Sequence, residues 1–224
     1  MKKIFSLFLF LIMVSISFVL VGCKANRAQI QDNISDIRYG IYDAKNDMAK
    51  ATYVYGEREN PYKPDGISNP KTSFGIISIT FNTKPELEKI DFTLKYGEKT
   101  INGQLEKSPF TSEYLADIGE QISSETPLEL EIKLNEKTIQ LILKKQSTNW
   151  EIDSAKALKI GEKALKDEID EMKRQGKCEY YLKIIADTKS NFGQYFWAFT
   201  VISENGTKHT VVFAPNNEQI LVKN

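Results

Sequence analysis

Residues 92–101 read FTLKYGEKTI and residues 130–139 read LEIKLNEKTI, and these two stretches decide the fold. In each, apolar side chains alternate with polar ones up to a Gly or an Asn, after which the chain resumes with Glu-Lys-Thr-Ile. Alternation with a period of two places one face of a strand in a core, and a Gly or Asn between two such runs is typical of a tight turn. Both stretches are therefore predicted to be antiparallel β-hairpins of a mainly β fold.

Further strand patterns lie on the N-terminal side of the hairpins. Residues 48–55 and 74–81 are rich in β-forming residues, and the loop between them, residues 60–70, is dense in Asn, Pro and Gly. Between the two hairpins, residues 111–123 carry three apolar side chains at helical spacing, which predicts a short crossover helix. Six or more strands with one crossover predict an antiparallel β-sandwich-like domain over residues 48–147.

The pattern changes from strand to helix periodicity at residue 148. Asp153 is a residue type that favours a helix N-cap, and Gly176 is one that typically ends a helix. Apolar residues between them recur at spacings of three and four, so residues 153–176 are predicted to be an amphipathic helix. The sequence thus predicts a second domain over residues 148–224, in which a helix packs on an antiparallel sheet. A single continuous sheet that runs through both parts is the alternative. Its strands are predicted at residues 180–186, 194–203, 208–213 and 219–223, with Asn205-Gly206 as a type I′ hairpin turn.

The order of these C-terminal elements resembles the PepSY or PepSY-like family. The family's last turn usually carries an acid and then Thr-Gly, whereas this chain has Pro215-Asn216-Asn217-Glu218-Gln219 there, so a generic cystatin-like sheet and helix is the alternative. The resemblance implies a regulator or inhibitor of an extracellular peptidase, because that family is associated with protease propeptides. The matching residues are the helix 154–166, the strand 195–201 with Trp197, the turn at Gly206, and Val211-Val212-Phe213 leading to Ile220-Leu221-Val222.

Residues 1–22 have the layout of a bacterial lipoprotein signal. A basic start, Lys2-Lys3, precedes about 18 almost wholly apolar residues, and the segment closes on Leu20-Val21-Gly22-Cys23. This ending resembles the lipobox of bacterial lipoproteins, which implies cleavage between Gly22 and Cys23 and a diacylglyceryl group on the Cys23 thiol. Two acyl chains are enough for stable membrane anchoring. Because the apolar run is borderline for a membrane span, an uncleaved anchor helix and an ordinary secretory signal are the alternatives.

Residues 23–47 are predicted to be a tether between the lipid and the fold. The segment is polar and carries no Pro, and its isoleucines recur at helical spacing, so a short amphipathic helix and a flexible spacer are both open. A lipid on Cys23 would hold the protein on the extracytoplasmic face of the cell membrane. The heavy use of Lys, Asn and Ile is typical of an AT-rich Gram-positive bacterium.

Composition argues against several functional classes. The 224-residue chain carries 30 basic and 30 acidic side chains, and the mature chain, without Lys2 and Lys3, carries 28 and 30, so no basic face is expected for a nucleic-acid partner. One histidine, His209, and one further cysteine, Cys178, cannot supply the four ligands of a zinc site. The sequence also lacks a Gly-rich phosphate loop and a nucleophile elbow. We expect no metal, no cofactor and no catalytic activity.

Two groups of residues are candidates for binding. Tyr195, Trp197 and Phe199 share one face of a predicted strand, where they either pack against the helix or form an aromatic groove for a peptide or glycan. Glu57-Arg58-Glu59, just before the long loop, is the most polar candidate, and a solvated strand end is its alternative. The sequence predicts a lipid-anchored, non-catalytic envelope lipoprotein that acts by binding or protein interaction, with an envelope protein or a peptidase as its partner.

Overall fold

The computed structural model describes residues 30–186 and 192–224, and residues 33–224 form one compact unit. Short 3-10 turns lie at Ile30–Asn33 and Ser147–Asn149, and the helices are α1 (Ser154–Ala164) and α2 (Lys166–Gln175). The strands are β1 (Ile34–Lys45), β2 (Ala49–Glu59), β3 (Lys71–Phe81), β4 (Lys89–Tyr96), β5 (Lys99–Lys107), β6 (Tyr114–Asp117), β7 (Leu128–Leu134), β8 (Lys137–Lys145), β9 (Cys178–Ala186), β10 (Tyr195–Ser203), β11 (Lys208–Phe213) and β12 (Ile220–Lys223).

Eight of the strands close into an antiparallel barrel. Its order is β1-β2-β3-β6-β5-β4-β7-β8, and β8 returns to β1 through the pairs Tyr42↔Lys145 and Asp43↔Lys144. Closure pairs β1 with β8, so the two end strands of this series are not left as open edges of the barrel. The predicted hairpins are confirmed as β4–β5 and β7–β8, and the positive φ that each turn needs falls on Gly97 and Asn135.

The predicted β-sandwich over residues 48–147 is wrong, because β1 closes this sheet into a barrel and lies outside that range. Residues 34–45 of the predicted tether form β1 instead of a helix or a spacer, and Ile34, Ile37 and Ile41 are buried in it. The helix predicted at residues 111–123 is also wrong. There the chain forms β6, since Tyr114 and Ala116 enter the core with the period of a strand.

Three tyrosines in the barrel core fasten the chain that follows β6. The rings of Tyr42, Tyr53 and Tyr55 lie 5.8–6.1 Å apart. The Tyr42 hydroxyl donates to the carbonyl of Ser124 at 2.5 Å and accepts from its N–H at 2.7 Å. The Tyr53 hydroxyl accepts from the N–H of Ile122 at 2.8 Å and donates to the carbonyl of Glu120. Buried hydroxyls thus satisfy backbone groups of an irregular segment that has no strand partner.

The four C-terminal strands extend the barrel's own sheet. The first half of β1 pairs in parallel with β9, through Ile34↔Tyr180 and Ile37↔Leu182, and β10, β11 and β12 follow in antiparallel order. An irregularity between Arg38 and Gly40 separates the half of β1 beside β9 from the half beside β8. β1 is therefore the strand that joins the barrel to the C-terminal strands.

The predicted PepSY-like or cystatin-like helix-on-sheet domain over residues 148–224 is wrong as a fold class, because its strands belong to the sheet that forms the barrel. The helical pattern itself does form helices. Asp153 caps α1 by accepting from the N–H of Lys156 at 2.7 Å, and Gly176 follows α2 as expected. The predicted single helix is interrupted at Leu165, which separates α1 from α2. The predicted type I′ turn at Asn205-Gly206 is wrong, because that turn type needs a positive φ at both residues and only Gly206 has one.

The predicted signal peptide and Cys23 lie outside the described residues. Among the residues that are described, no helix has both the length and the apolar character that crossing a membrane requires.

Candidate functional site

The predicted aromatic surface does not exist as a surface. Tyr195, Trp197 and Phe199 are only 5%, 1% and 0% exposed, because the face of β10 that carries them is covered. Phe199 lies against Gly161 of α1, where an added Cβ would come within 2.3 Å of the ring. These residues are buried, which favours the alternative that they pack in the core over an aromatic groove formed by all three.

The polar ends of two of these aromatics also have internal partners. The indole N–H of Trp197 donates to the carbonyl of Ile152 at 3.0 Å, and the Trp150 ring meets the Trp197 ring edge-on at 5.4 Å. The hydroxyl of Tyr195 donates to the Asp43 carboxylate at 2.7 Å, and burial together with that bond raises the pKa of Tyr195. Their hydrogen bonds therefore hold the fold together.

The second candidate, Glu57-Arg58-Glu59, lies beside a cleft of about 540 Å³ on the outside of the barrel. The Arg58 guanidinium forms an ion pair with Asp117 and lies 5.2 Å from the centre of the Phe74 ring. Its side chain is partly exposed, so it presents donors to solvent. The volume falls within the range of pockets that hold small molecules or peptide side chains.

Three pieces of chain form the walls of this cleft. One wall is the start of the β2–β3 loop (residues 60–70), the second is the first half of β3, and the third is the chain where β6 ends. Period-two alternation places Arg58 on the outer face of β2, while Glu59 points to the opposite face and is buried. The lining residues are Arg58, Glu59, Asn60, Pro61, Tyr62, Thr72, Ser73, Phe74, Asp117 and Gly119.

Two buried carboxylates fix the β2–β3 loop. Glu59 accepts from the backbone N–H of Lys63 at 2.9 Å and of Asn69 at 3.0 Å, and so ties together the two ends of the loop. Glu179 accepts from the Ser35 hydroxyl at 2.5 Å and from the N–H of Gly66 at 2.8 Å, which ties the middle of the loop to β1 and β9. Each buried carboxyl group thus finds hydrogen-bond donors on separate pieces of the chain. The loop wall of the cleft is therefore preformed.

The exposed aromatic at the rim of the cleft, Tyr62, is also held in place. Its hydroxyl accepts from the Lys183 ammonium at 2.9 Å, and its ring meets the Tyr181 ring edge-on at 6.0 Å. Lys183 lies 5.3 Å and 5.2 Å from the centres of these two rings, within the range of cation–π attraction. The rim of the cleft is thus positioned from β9, a strand far away in the sequence.

Beneath this rim lies Asp36, a buried carboxylate of β1. The Lys183 ammonium is 3.6 Å away and the Arg38 guanidinium 3.8 Å away. Burial raises the pKa of Asp36 above its usual value, and the positive charges of Arg38, Lys183 and Arg58 offset this only in part. The folded state therefore binds the Asp36 proton more tightly than the unfolded chain does, and the stability associated with it is lost as pH rises through the folded pKa.

Asp36→Asn is expected to raise the melting temperature at pH 7, because the amide resembles the protonated acid that the folded state prefers. The gain should shrink as the pH falls through the raised pKa of Asp36, because the folded wild-type protein then takes up the proton that the amide imitates. Melting curves across this pH range measure the effect. Asp170→Asn is the control, since Asp170 is exposed on α2 and Lys166 lowers its pKa. Its substitution should therefore lower the melting temperature at pH 7. A melting temperature of Asp36→Asn below that of the wild type at pH 7 would contradict this account.

The two residues considered as zinc ligands, Cys178 and His209, lie on strands of the C-terminal part of the sheet. Cys178 is buried with its sulfur 3.1 Å from the Tyr180 hydroxyl, and His209 is half-buried on β11. In the described part of the chain, His, Cys, Asp and Glu side chains do not gather in groups of three or more that could hold a metal ion.

Sequence reasoning found Arg58 and missed its neighbours. Phe74 and Asp117 reach Arg58 through the pairing of β2 with β3 and of β3 with β6, and register between strands is not visible in the sequence. The one available signal was the position of Glu57-Arg58-Glu59 directly before a Pro-rich loop, because such loops often carry binding residues. Glu179 gave no signal, since it lies in an ordinary strand pattern.

Comparison of the chain with protein-family models, with curated proteins and with solved structures finds no match.

Proposed function

We propose that this protein is a lipid-anchored, non-catalytic lipoprotein of the cell envelope that acts by binding another protein. The observation that carries the proposal is the stretch Leu20-Val21-Gly22-Cys23 after an apolar run with a basic start. β1 begins at Ile34, eleven residues after Cys23, and eleven residues span at most about 40 Å. The barrel would thus stay close to the membrane surface on the extracytoplasmic face.

The cleft beside Arg58 supports binding as its activity. Its loop wall is fixed by Glu59 and Glu179, and its charged side chains, Arg58 and Asp117, are paired with each other. A preformed wall lowers the entropy that association must overcome. Regulation of a peptidase followed from the PepSY resemblance, and since that fold is corrected, we do not retain it as the function.

Cys23→Ala is expected to remove the protein from its lipid anchor. Without the thiol no diacylglyceryl group can be attached, so the variant should remain an uncleaved precursor or appear in the medium. Immunoblots of membrane, cytosol and medium fractions measure this. Cys178→Ala is the matched control, because it removes the other thiol, which is buried in the fold, and should leave the protein in the membrane fraction. Processing and membrane retention of Cys23→Ala equal to those of the wild type would contradict the proposal.

A further inference from the structure

Strand β3 has a free half-edge beside the cleft. Its later residues pair with β6, from Ile76↔Asp117 to Ile79↔Tyr114, and the last bond of this ladder runs from the N–H of Ile118 to the carbonyl of Gly75. Before Gly75, the chain of β6 turns away at Gly119, which has a positive φ. In the described sheet, residues 71–74 therefore pair with β2 on one side and with no strand on the other.

The backbone groups on this half-edge point away from β2. In an antiparallel ladder, successive residues direct their N–H and C=O groups to alternate sides. The carbonyl of Gly75 points toward β6, so the N–H and C=O of Ser73, two residues earlier, point toward the open side. Lys71, Thr72 and Ser73 are all exposed. Ser73 thus offers a donor and an acceptor of the kind that a further strand would use.

The cleft provides a place for side chains at the same position. Thr72, Ser73 and Phe74 line it, together with Arg58 and Asp117. Recognition by strand addition needs both an open edge, which gives affinity through backbone hydrogen bonds, and a pocket, which gives side-chain specificity. A small free ligand would need only the pocket, so the edge favours an extended peptide.

The charges indicate what the peptide carries. The Glu59 carboxylate accepts hydrogen bonds from N–H groups of the loop, and the Asp117 carboxylate forms an ion pair with Arg58. Arg58 is partly exposed on the outer face, and on the opposite face Lys71 forms no ion pair with another described residue. An added strand alternates its side chains between the two faces, so neighbouring acidic residues would meet Arg58 and Lys71.

We propose that the partner presents an extended acidic peptide segment, which adds as a strand to β3 at residues 71–74 and places a carboxylate at Arg58. This inference rests on the proposed binding function and names the partner's chemistry. The incoming carboxylate replaces that of Asp117 on the guanidinium, and the partner's backbone bonds to Ser73.

The test uses the full-length lipoprotein in detergent micelles and a fluorescein-labelled octapeptide, Thr-Val-Thr-Asp-Glu-Val-Thr-Val, with fluorescence anisotropy as the readout. The same peptide with Lys-Lys at the centre should bind at least about tenfold more weakly, because charge-assisted bonds are lost. Arg58→Gln should weaken binding of the acidic peptide by a similar factor. Arg174→Gln is the matched control, since Arg174 is also in an exposed ion pair, with Glu171, but lies on α2; it should leave affinity unchanged.

A series of peptides with single N-methylated amides tests strand addition without altering the protein. N-methylation should abolish binding at alternate positions and be tolerated at those between, because only every second N–H faces β3. Absence of binding, equal affinity for acidic and basic peptides, tolerance of all N-methyl groups, or binding of chitotetraose in place of peptide would each overturn the inference. Peptide binding measured in micelles does not require the lipid on Cys23. If the chain binds the peptide but carries no lipid, the proposed anchoring is refuted and the peptide-binding inference stands.

Discussion

Gly56→Ala is expected to lower the free energy of unfolding by about 3 kcal/mol, at the upper end of what overpacking costs. A Cβ at residue 56 would lie 2.0 Å from the carbonyl oxygen of Ile37 and 2.9 Å from the Cα of Arg38. Both are backbone atoms of β1 at its irregularity, so no side-chain rotation can make room. Urea denaturation followed by circular dichroism measures the loss.

Gly176→Ala is the control for this substitution. There the nearest atom to an added Cβ is the Glu204 carboxylate oxygen, at 2.9 Å, and a flexible surface side chain moves at little cost. We expect a loss below about 1 kcal/mol. Equal losses in the two variants would show that β1 does not lie against Gly56 as described.

Deletion of residues 34–45 is expected to abolish cooperative folding of the mature chain. β1 pairs with β2, β8 and β9, so without it the barrel opens and the C-terminal strands lose their connection to it. The strand also buries Ile34, Ile37, Ile41 and Tyr42. Each such side chain contributes about 1.5–3 kcal/mol, and their sum approaches the whole stability of a domain, about 5–15 kcal/mol.

Deletion of residues 220–224 provides the comparison. Among the described strands, β12 pairs with β11 alone, and its apolar side chains are exposed. The shortened chain should therefore keep a single cooperative transition at a lower midpoint. Thermal unfolding followed by circular dichroism separates the two deletions. If the chain without β1 melted cooperatively near the wild-type midpoint, the central role of β1 would be refuted.

Local pattern predicted the parts of the fold that depend on neighbouring residues. The hairpins at residues 92–101 and 130–139 follow from alternation and a turn residue, and both form. Asp153 and Gly176 bound the helical region because caps act within one turn of the chain. None of these signals states which strand lies beside which.

Sequence reasoning failed where an element's role comes from distant partners. β1 is buried on both faces in its first half, beside Tyr180 and Leu182, so its isoleucines do not alternate and their spacing resembled a helix. Without β1, the remaining strands suggested a sandwich and a separate C-terminal domain. The same limit applies to the cleft, since Arg58 meets Asp117 only through the register of three strands.

The measurement that tests the central claim most directly is the intact mass of the protein purified from the membrane fraction, with fragmentation of its N-terminal peptide. We predict a chain that begins at Cys23 and carries a diacylglyceryl group, with or without a further N-acyl chain. An unmodified chain, whether it begins at Met1 or at Cys23, would contradict the account.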